Sequence, residues 1–189
     1  AEVYRGITGD NNMELQNGRP ADAAGRMEKE IRTYNFLDEL GVDYQRVDHE
    51  AAFTMEACKE VDEALGVEMC KNLFLCNRQK TSFYLLCMPP DKPFHTKDLS
   101  AQINSSRLSF APEDSLWELL HCHPGSATVL GLANDTEHRV QLLLDREVYD
   151  APYMSCHPCI CTSTLKLKTS DVLTRLLPHT GHTPIVVDL

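Results

Sequence analysis

The sequence predicts one α+β domain, a mixed β-sheet curled towards a barrel and surrounded by helices. Three observations predict it. Helical spacing dominates the first third and halts at Gly41 and Gly66. A dense apolar hairpin follows. Strands and helices then come mixed rather than in strict alternation. The 189 residues suffice for one domain with a substantial core, and no repeat or composition break interrupts them after residue 23.

Residues 1–22 carry Gly, Asn, Asp and Pro without periodicity, so they read as a loose lead-in to a domain over 23–189. From Ala24, Met27, Ile31, Tyr34, Leu37 and Leu40 recur at helical spacing, with Gly41 as the stop. "VDYQRVDH" alternates as a strand. Thr54 is placed to cap a second helix with Met55, Cys58, Val61 and Leu65 on one face, ended by Gly66. "KNLFLCNRQKTSFYLLCMP", Lys71 to Pro89, reads as two strands around a polar turn. Thr96 is expected to cap a short helix, and Pro112 suits the first turn of another with Leu116, Leu119 and Leu120 inside and Trp117 nearby. "HPGSATVLGLAND" is expected to begin as a turn and become a strand. "HRVQLLLD" is a strand, "YMSCHPCICTSTLKLK" one or two more, Thr169 the cap of a last helix, and "TPIVVDL" a closing strand.

Hydrophobic content of 42% and charged content of 24% are those of an ordinary globular chain. No apolar run approaches the roughly 20 residues a spanning helix needs, and no charged and apolar leader opens the chain, so a cytoplasmic protein away from membranes is expected. A formal charge of −10 argues against a sequence-blind nucleic-acid binder. A nucleic-acid partner would have to be met by a local basic patch.

Eight cysteines without a secretory leader point to thiols rather than staples. Cys58, Cys70, Cys76 and Cys87 occupy apolar positions. Cys156, His157, Cys159 and Cys161 are all possible zinc ligands, but a structural site wants a second knuckle, and four ligands within six residues of a strand cannot easily wrap one tetrahedral ion. Buried thiols are the preferred reading, with no metal.

Three polar interruptions of apolar elements stand out, since Gly-rich phosphate loops, serine elbows and His-Glu-x-x-His helices are missing from the sequence. Lys71-Asn72 opens the hairpin, although from spacing alone a strand-end lysine with its amine in water is the plainer explanation. The stretch 123–128 (His-Pro-Gly-Ser-Ala-Thr) is a turn whose backbone N–H groups can hold a carbonyl or an oxyanion. His157-Pro158 interrupts the cysteine cluster, where a structural histidine is the plainer explanation.

In this order, with "FLDELGVDYQRVDHEAAFTMEA", "KNLFL", "RLSFAPEDSLWELLHCHPGSATVLGLAND", "HPCICTSTLKLKTSDVL" and "TGHTPIVVDL", the chain from about residue 22 onwards resembles the YbaK/prolyl-tRNA synthetase-associated editing domains, most closely the free-standing ProX type. The resemblance implies a cofactor-free hydrolase that deacylates mischarged tRNA-Pro, most naturally Ala-tRNA-Pro. It implies Lys71 as the lysine holding the aminoacyl-adenosine end, with Asn72 beside it. Gly125 and Ser126 would grip the ester, and Ala127, Thr128, Val129, Phe53 and His157 would line the amino-acid pocket. Many relatives place Pro where Val129 stands, four residues after Gly125. The implied partners are the acceptor end of mischarged tRNA-Pro and, as a second candidate, prolyl-tRNA synthetase, for a monomer or homodimer. Lys71, Arg78, Lys80, Lys92, Lys97 and Arg107 are the candidate basic patch. Cysteine editing through the substrate's own thiol, and a non-catalytic synthetase-associated module, stay open as alternatives.

Overall fold

In the computed structural model, which describes residues 13–51 and 54–189, the apolar pattern resolves into two sheets. The first has the order β1 (Gln16–Asn17), β2 (Tyr44–Asp48), β8 (Ser163–Lys168), β7 (Tyr153–Cys156), all antiparallel. The second has the order β5 (Ser109–Phe110), β3 (Lys71–Cys76), β4 (Phe83–Met88), β6 (Val140–Asp145), β9 (Ile185–Val187). There β3 pairs antiparallel with β4 and β5, while β4–β6 and β6–β9 are parallel. The α+β class and the mixed pairing are as expected. The strands divide between two open sheets rather than closing.

Alternation along the second sheet explains why its strands read as unbroken apolar runs. Phe74, Cys76, Phe83, Leu85, Cys87, Leu142 and Leu144 face the main core, with Tyr44, Met154, Leu165 and Leu167 of the first sheet. Leu75, Leu86, Met88 and Leu143 face a smaller core closed by Leu99 of α3 (Thr96–Gln102) and by Leu108. Both faces are buried.

The helices stop where glycine allows a positive φ. After α1 (Glu28–Glu39), Gly41 (φ 67°) donates to the Asp38 carbonyl at 3.1 Å and Val42 to Leu37 at 3.0 Å, which satisfies two orphan carbonyls. In α2 (Met55–Leu65) the Thr54 hydroxyl accepts from the Ala57 N–H at 3.1 Å, and Gly66 (φ 72°) closes the end. Of the expected inner face of α2, Val61 and Leu65 are buried and Cys58 is half-buried; the Met55 side chain lies outside the described residues. In α4 (Glu113–Leu120), Leu116, Leu119 and Leu120 are buried and Trp117 is exposed.

Three local expectations are corrected. The stretch after the Gly125 turn is a 3-10 helix, Val129–Asn134, not a strand. The Thr128 hydroxyl caps it by accepting from the Leu130 N–H at 3.2 Å, and Gly131 packs so tightly that a Cβ would lie 2.9 Å from the Leu120 carbonyl oxygen. Thr96 and Thr169 are the first helical residues rather than caps: His95 and Lys168 hold those positions without a side-chain bond. The last helix, α6, runs over 169–180 with a π-helical stretch Val172–Leu176. Sequence reading also passed over α5 (Arg146–Asp150), capped by Asp145, whose carboxylate accepts from the Glu147 N–H at 3.0 Å. No helix of the described residues is long and apolar enough to cross a membrane.

A charged network ties the first sheet together. Asp48 binds Arg26 (2.8 Å), Arg46 (3.1 Å) and the Ser163 hydroxyl (2.7 Å). Burial works to raise the Asp48 carboxyl, but the bonds from Arg26 and Ser163 and the charges of Arg26 and Arg46 outweigh it and hold it at about 2. Arg46, itself buried, also donates to the Gly18 carbonyl and the Gln16 side chain, fastening the described part of the lead-in to β2.

Candidate functional site

Thiols from several segments gather in the main core, where Cys87, Cys122, Cys156 and Cys159 are buried and Cys70 packs against them. The Cys70 N–H, just before β3, donates to the Ser155 hydroxyl of β7 at 2.9 Å. Cys70, Cys87 and Cys156 are close enough to act on one another electrostatically, and burial pushes each of these thiols up, so they stay neutral. On the other side the Cys122 thiol donates to the Leu120 carbonyl at 3.3 Å and neighbours Cys159, which accepts from the Thr33 hydroxyl at 3.6 Å. The neighbouring Cys159 and burial raise Cys122, while Cys159 is lowered by Cys122 and the Thr33 bond, against burial. Asn72 pairs across the hairpin with Cys87, His157 follows Cys156 in the chain, and the Gly125 turn begins directly after Cys122. Among the described residues no three His, Cys, Asp or Glu side chains are grouped to hold a metal.

The Gly125 turn has the geometry its residues dictate. Pro124 presets the second position, Gly125 (φ 91°) takes the third, and the Ser126 N–H donates to the His123 carbonyl at 3.0 Å. The Ser126 hydroxyl donates to the same carbonyl at 3.0 Å and is buried, which makes it part of the turn. Ala127, Thr128 and Val129 are buried, so the loop offers main chain rather than side chains. Among the described residues the N–H groups of Gly125 and Ala127 have no hydrogen-bond partner. These are the free donors a carbonyl or oxyanion needs.

His157 is fixed by its Nδ1, which donates to the Ser163 carbonyl at 2.9 Å, leaving Nε2 as an acceptor. Ser163 belongs to the Asp48 network, so the imidazole is oriented from behind. His49, which sequence reading passed over, lies with its ring centroid 6.5 Å away and is held by the Glu50 carbonyl and the Thr164 hydroxyl. Burial lowers both histidines; for His157 the Ser163 carbonyl opposes this and His49 adds to it. Both folded pKa values lie below the unfolded value of about 6.5, so the unfolded chain binds more protons as pH falls. The histidines' contribution is therefore full above about pH 6.5 and lost as acid approaches the folded values. The urea midpoint is expected to be lower at about pH 5.5 than at pH 7.5, and His49→Gln with His157→Gln to narrow the gap. An unchanged gap in that variant would contradict the assignment. Asp48 titrates too low to enter this window, and Asp62 and Glu68, raised by burial, act in the opposite sense.

Lys71 is placed differently from its neighbour. Strand alternation puts it with Leu73 and Leu75, on the face of the smaller core, and Asn72 on the thiol side. The Lys71 amine, at the strand end, donates to the Lys92 carbonyl at 3.2 Å. Three residues of the expected basic patch have their own settings. Lys92 is engaged by Asp145 at 2.9 Å, and Arg78 and Lys80 lie in the turn at the far end of β3, roughly 17 Å along the strand from Lys71. Phe53 lies outside the described residues. Two hollows, of about 470 and 600 Å3, open elsewhere. The first is lined by Asp145, Glu147, Asp150 and Asp188 together with Lys92 and Arg146, which are paired with Asp145 and Asp188.

The fold is an α+β domain that carries free main-chain N–H groups at Gly125 and Ala127 and an oriented imidazole at His157. The model of the aminoacyl-tRNA editing domain matches residues 49–174, and the chain belongs to that family. A prolyl-tRNA synthetase associated domain-containing protein 1 from Danio rerio is 32% identical over 172 residues, covering 90% of this chain and 91% of that protein. The prolyl-tRNA editing protein ProX of Acetoanaerobium sticklandii is 29% identical over 153 residues, covering 81% and 93%. In fold, the chain is similar to a crystal structure described as a candidate trans-editing enzyme for prolyl tRNA synthetase, with a TM-score of 0.61, 16% identity, and coverage of 86% of this chain and 97% of that one.

Proposed function

We propose that this protein is a trans-editing deacylase that removes alanine from mischarged tRNA-Pro. The observation that carries the reading is the pair of free N–H groups at Gly125 and Ala127, with an oriented His157, in a member of the editing family. The ProX relative's name supports prolyl-tRNA as the substrate class.

An aminoacyl ester is already activated, so positioning it against water is most of the task. The carbonyl oxygen is taken by the Gly125 and Ala127 N–H groups. Water oxygen bonds to the carbonyl carbon, the C–O bond to the terminal ribose breaks, and the proton ends on the ribose oxygen. Each well-placed donor to the developing oxyanion contributes on the order of 3 kcal/mol. His157 Nε2 accepts from the substrate's α-amino group, and the Lys71 ammonium holds the adenosine end. Buried, neutral Cys70, Cys87 and Cys156 are poor nucleophiles, which favours direct attack by water. The test is multiple-turnover incubation with Ala-tRNA-Pro. Free alanine and intact tRNA are expected well beyond one equivalent of enzyme; release no faster than without protein would refute the proposal.

A further inference from the structure

Trp117, the single tryptophan of the chain, is 47% exposed on α4. The fold does not require it there, because Leu116, Leu119 and Leu120 supply the buried face. Its ring stacks on His123, with centroids 4.8 Å apart and planes 10° apart, and lies 5.5 Å from His121. The Lys29 ammonium sits 5.7 Å from the indole centroid. Glu118, the adjacent carboxylate, is paired with Arg139 at 3.7 Å. His123 is exposed and is the first residue of the turn whose third residue is Gly125, so a stacked aromatic layer runs from α4 to the rim of the candidate site.

We propose that this stack is the platform for a nucleobase of the single-stranded acceptor end, with Lys29 meeting its phosphate. The inference rests on the deacylase reading and names how that substrate is gripped. Base–aromatic stacking tolerates any base, because each has a π face, and needs few positive charges, which fits a body of formal charge −10. A base added to the layer at His123 brings its ribose, and the ester it carries, beside Gly125.

Trp117 fluorescence reads this directly. An uncharged minihelix of the tRNA-Pro acceptor stem ending in CCA is expected to quench the emission saturably, the same minihelix trimmed of its CCA end to leave it nearly unchanged, and His123→Ala to weaken the quench. In turnover, Trp117→Ala is expected to raise KM for charged tRNA about tenfold with a smaller change in kcat, and Trp117→Phe to recover most of it. Binding of the CCA minihelix without quenching, or an unaltered KM in Trp117→Ala, overturns the platform. Quenching needs no hydrolysis, so quenching without deacylation supports the platform and defeats only the catalytic reading. Deacylation with unquenched emission does the reverse.

Discussion

Lys71→Ala is expected to lower kcat/KM for Ala-tRNA-Pro roughly a hundredfold while the protein stays folded. The loss is that of one charged hydrogen-bond donor to the adenosine end of the substrate, a class of contact worth about 1.5–3 kcal/mol. The structure makes the stability side cheap. The amine is half-buried at a strand end and makes one bond, to the neutral carbonyl of Lys92. Such a bond contributes about 1 kcal/mol net, which for a chain of this size shifts Tm by about 2–4 °C. Because an ammonium has three donors, the Lys92 carbonyl leaves two for a ligand. Steady-state kinetics beside thermal unfolding separates the outcomes. A fully active variant would remove Lys71 from the site, and a variant that no longer folds would make it a structural residue.

Gly125→Ala is expected to cost nearly as much activity by another route. A Cβ at Gly125 meets no atom within 4 Å, so nothing clashes. The penalty is the backbone's: at φ 91° an L-residue is strained by about 1–3 kcal/mol. The relief is a flip of the peptide between residues 124 and 125, which turns the Gly125 N–H away from the ligand. Asparagine, which tolerates positive φ better, should retain more activity than alanine, and valine least. Equal kcat/KM values across the series would mean that the turn's N–H groups do not touch the ester.

Where one local rule decides an element, the sequence was legible. Gly41 and Gly66 end their helices because only their positive φ permits the closing bonds, and the hairpin was visible because both its faces are buried. The 3-10 helix at Val129 was not. Its β-branched residue favours a strand, and what overrides it is the Thr128 cap together with the close approach of Gly131 to α4, a tertiary fact. The same holds at the candidate site. Gly125 and His157 could be singled out because each breaks an apolar pattern. The pairing of Cys122 with Cys159, and the imidazole of His49 near His157, join residues over a hundred positions or several strands apart in ways no spacing displays. The settings of the candidate basic residues were hidden for a related reason. A list of lysines and arginines does not say that Asp145 occupies Lys92 or that Arg78 sits at the wrong end of a strand.

Selection by size tests the proposal most directly. An alanine editor has to admit a methyl group and exclude the cognate proline ring, and attraction alone cannot do this, since one methylene discriminates by only about 1–3 kcal/mol. Exclusion has to be steric, and the Gly125 loop is suited to it, because Ala127, Thr128 and Val129 are anchored in the core and hold the main chain from retreating. Proline's secondary amine also has fewer N–H groups to give His157. The measurement is the rate of deacylation of tRNA-Pro charged separately with alanine, serine, cysteine and proline. Alanine is expected to be released fastest, serine and cysteine more slowly, and proline hardly at all; cysteine released fastest with alanine untouched would contradict the proposal.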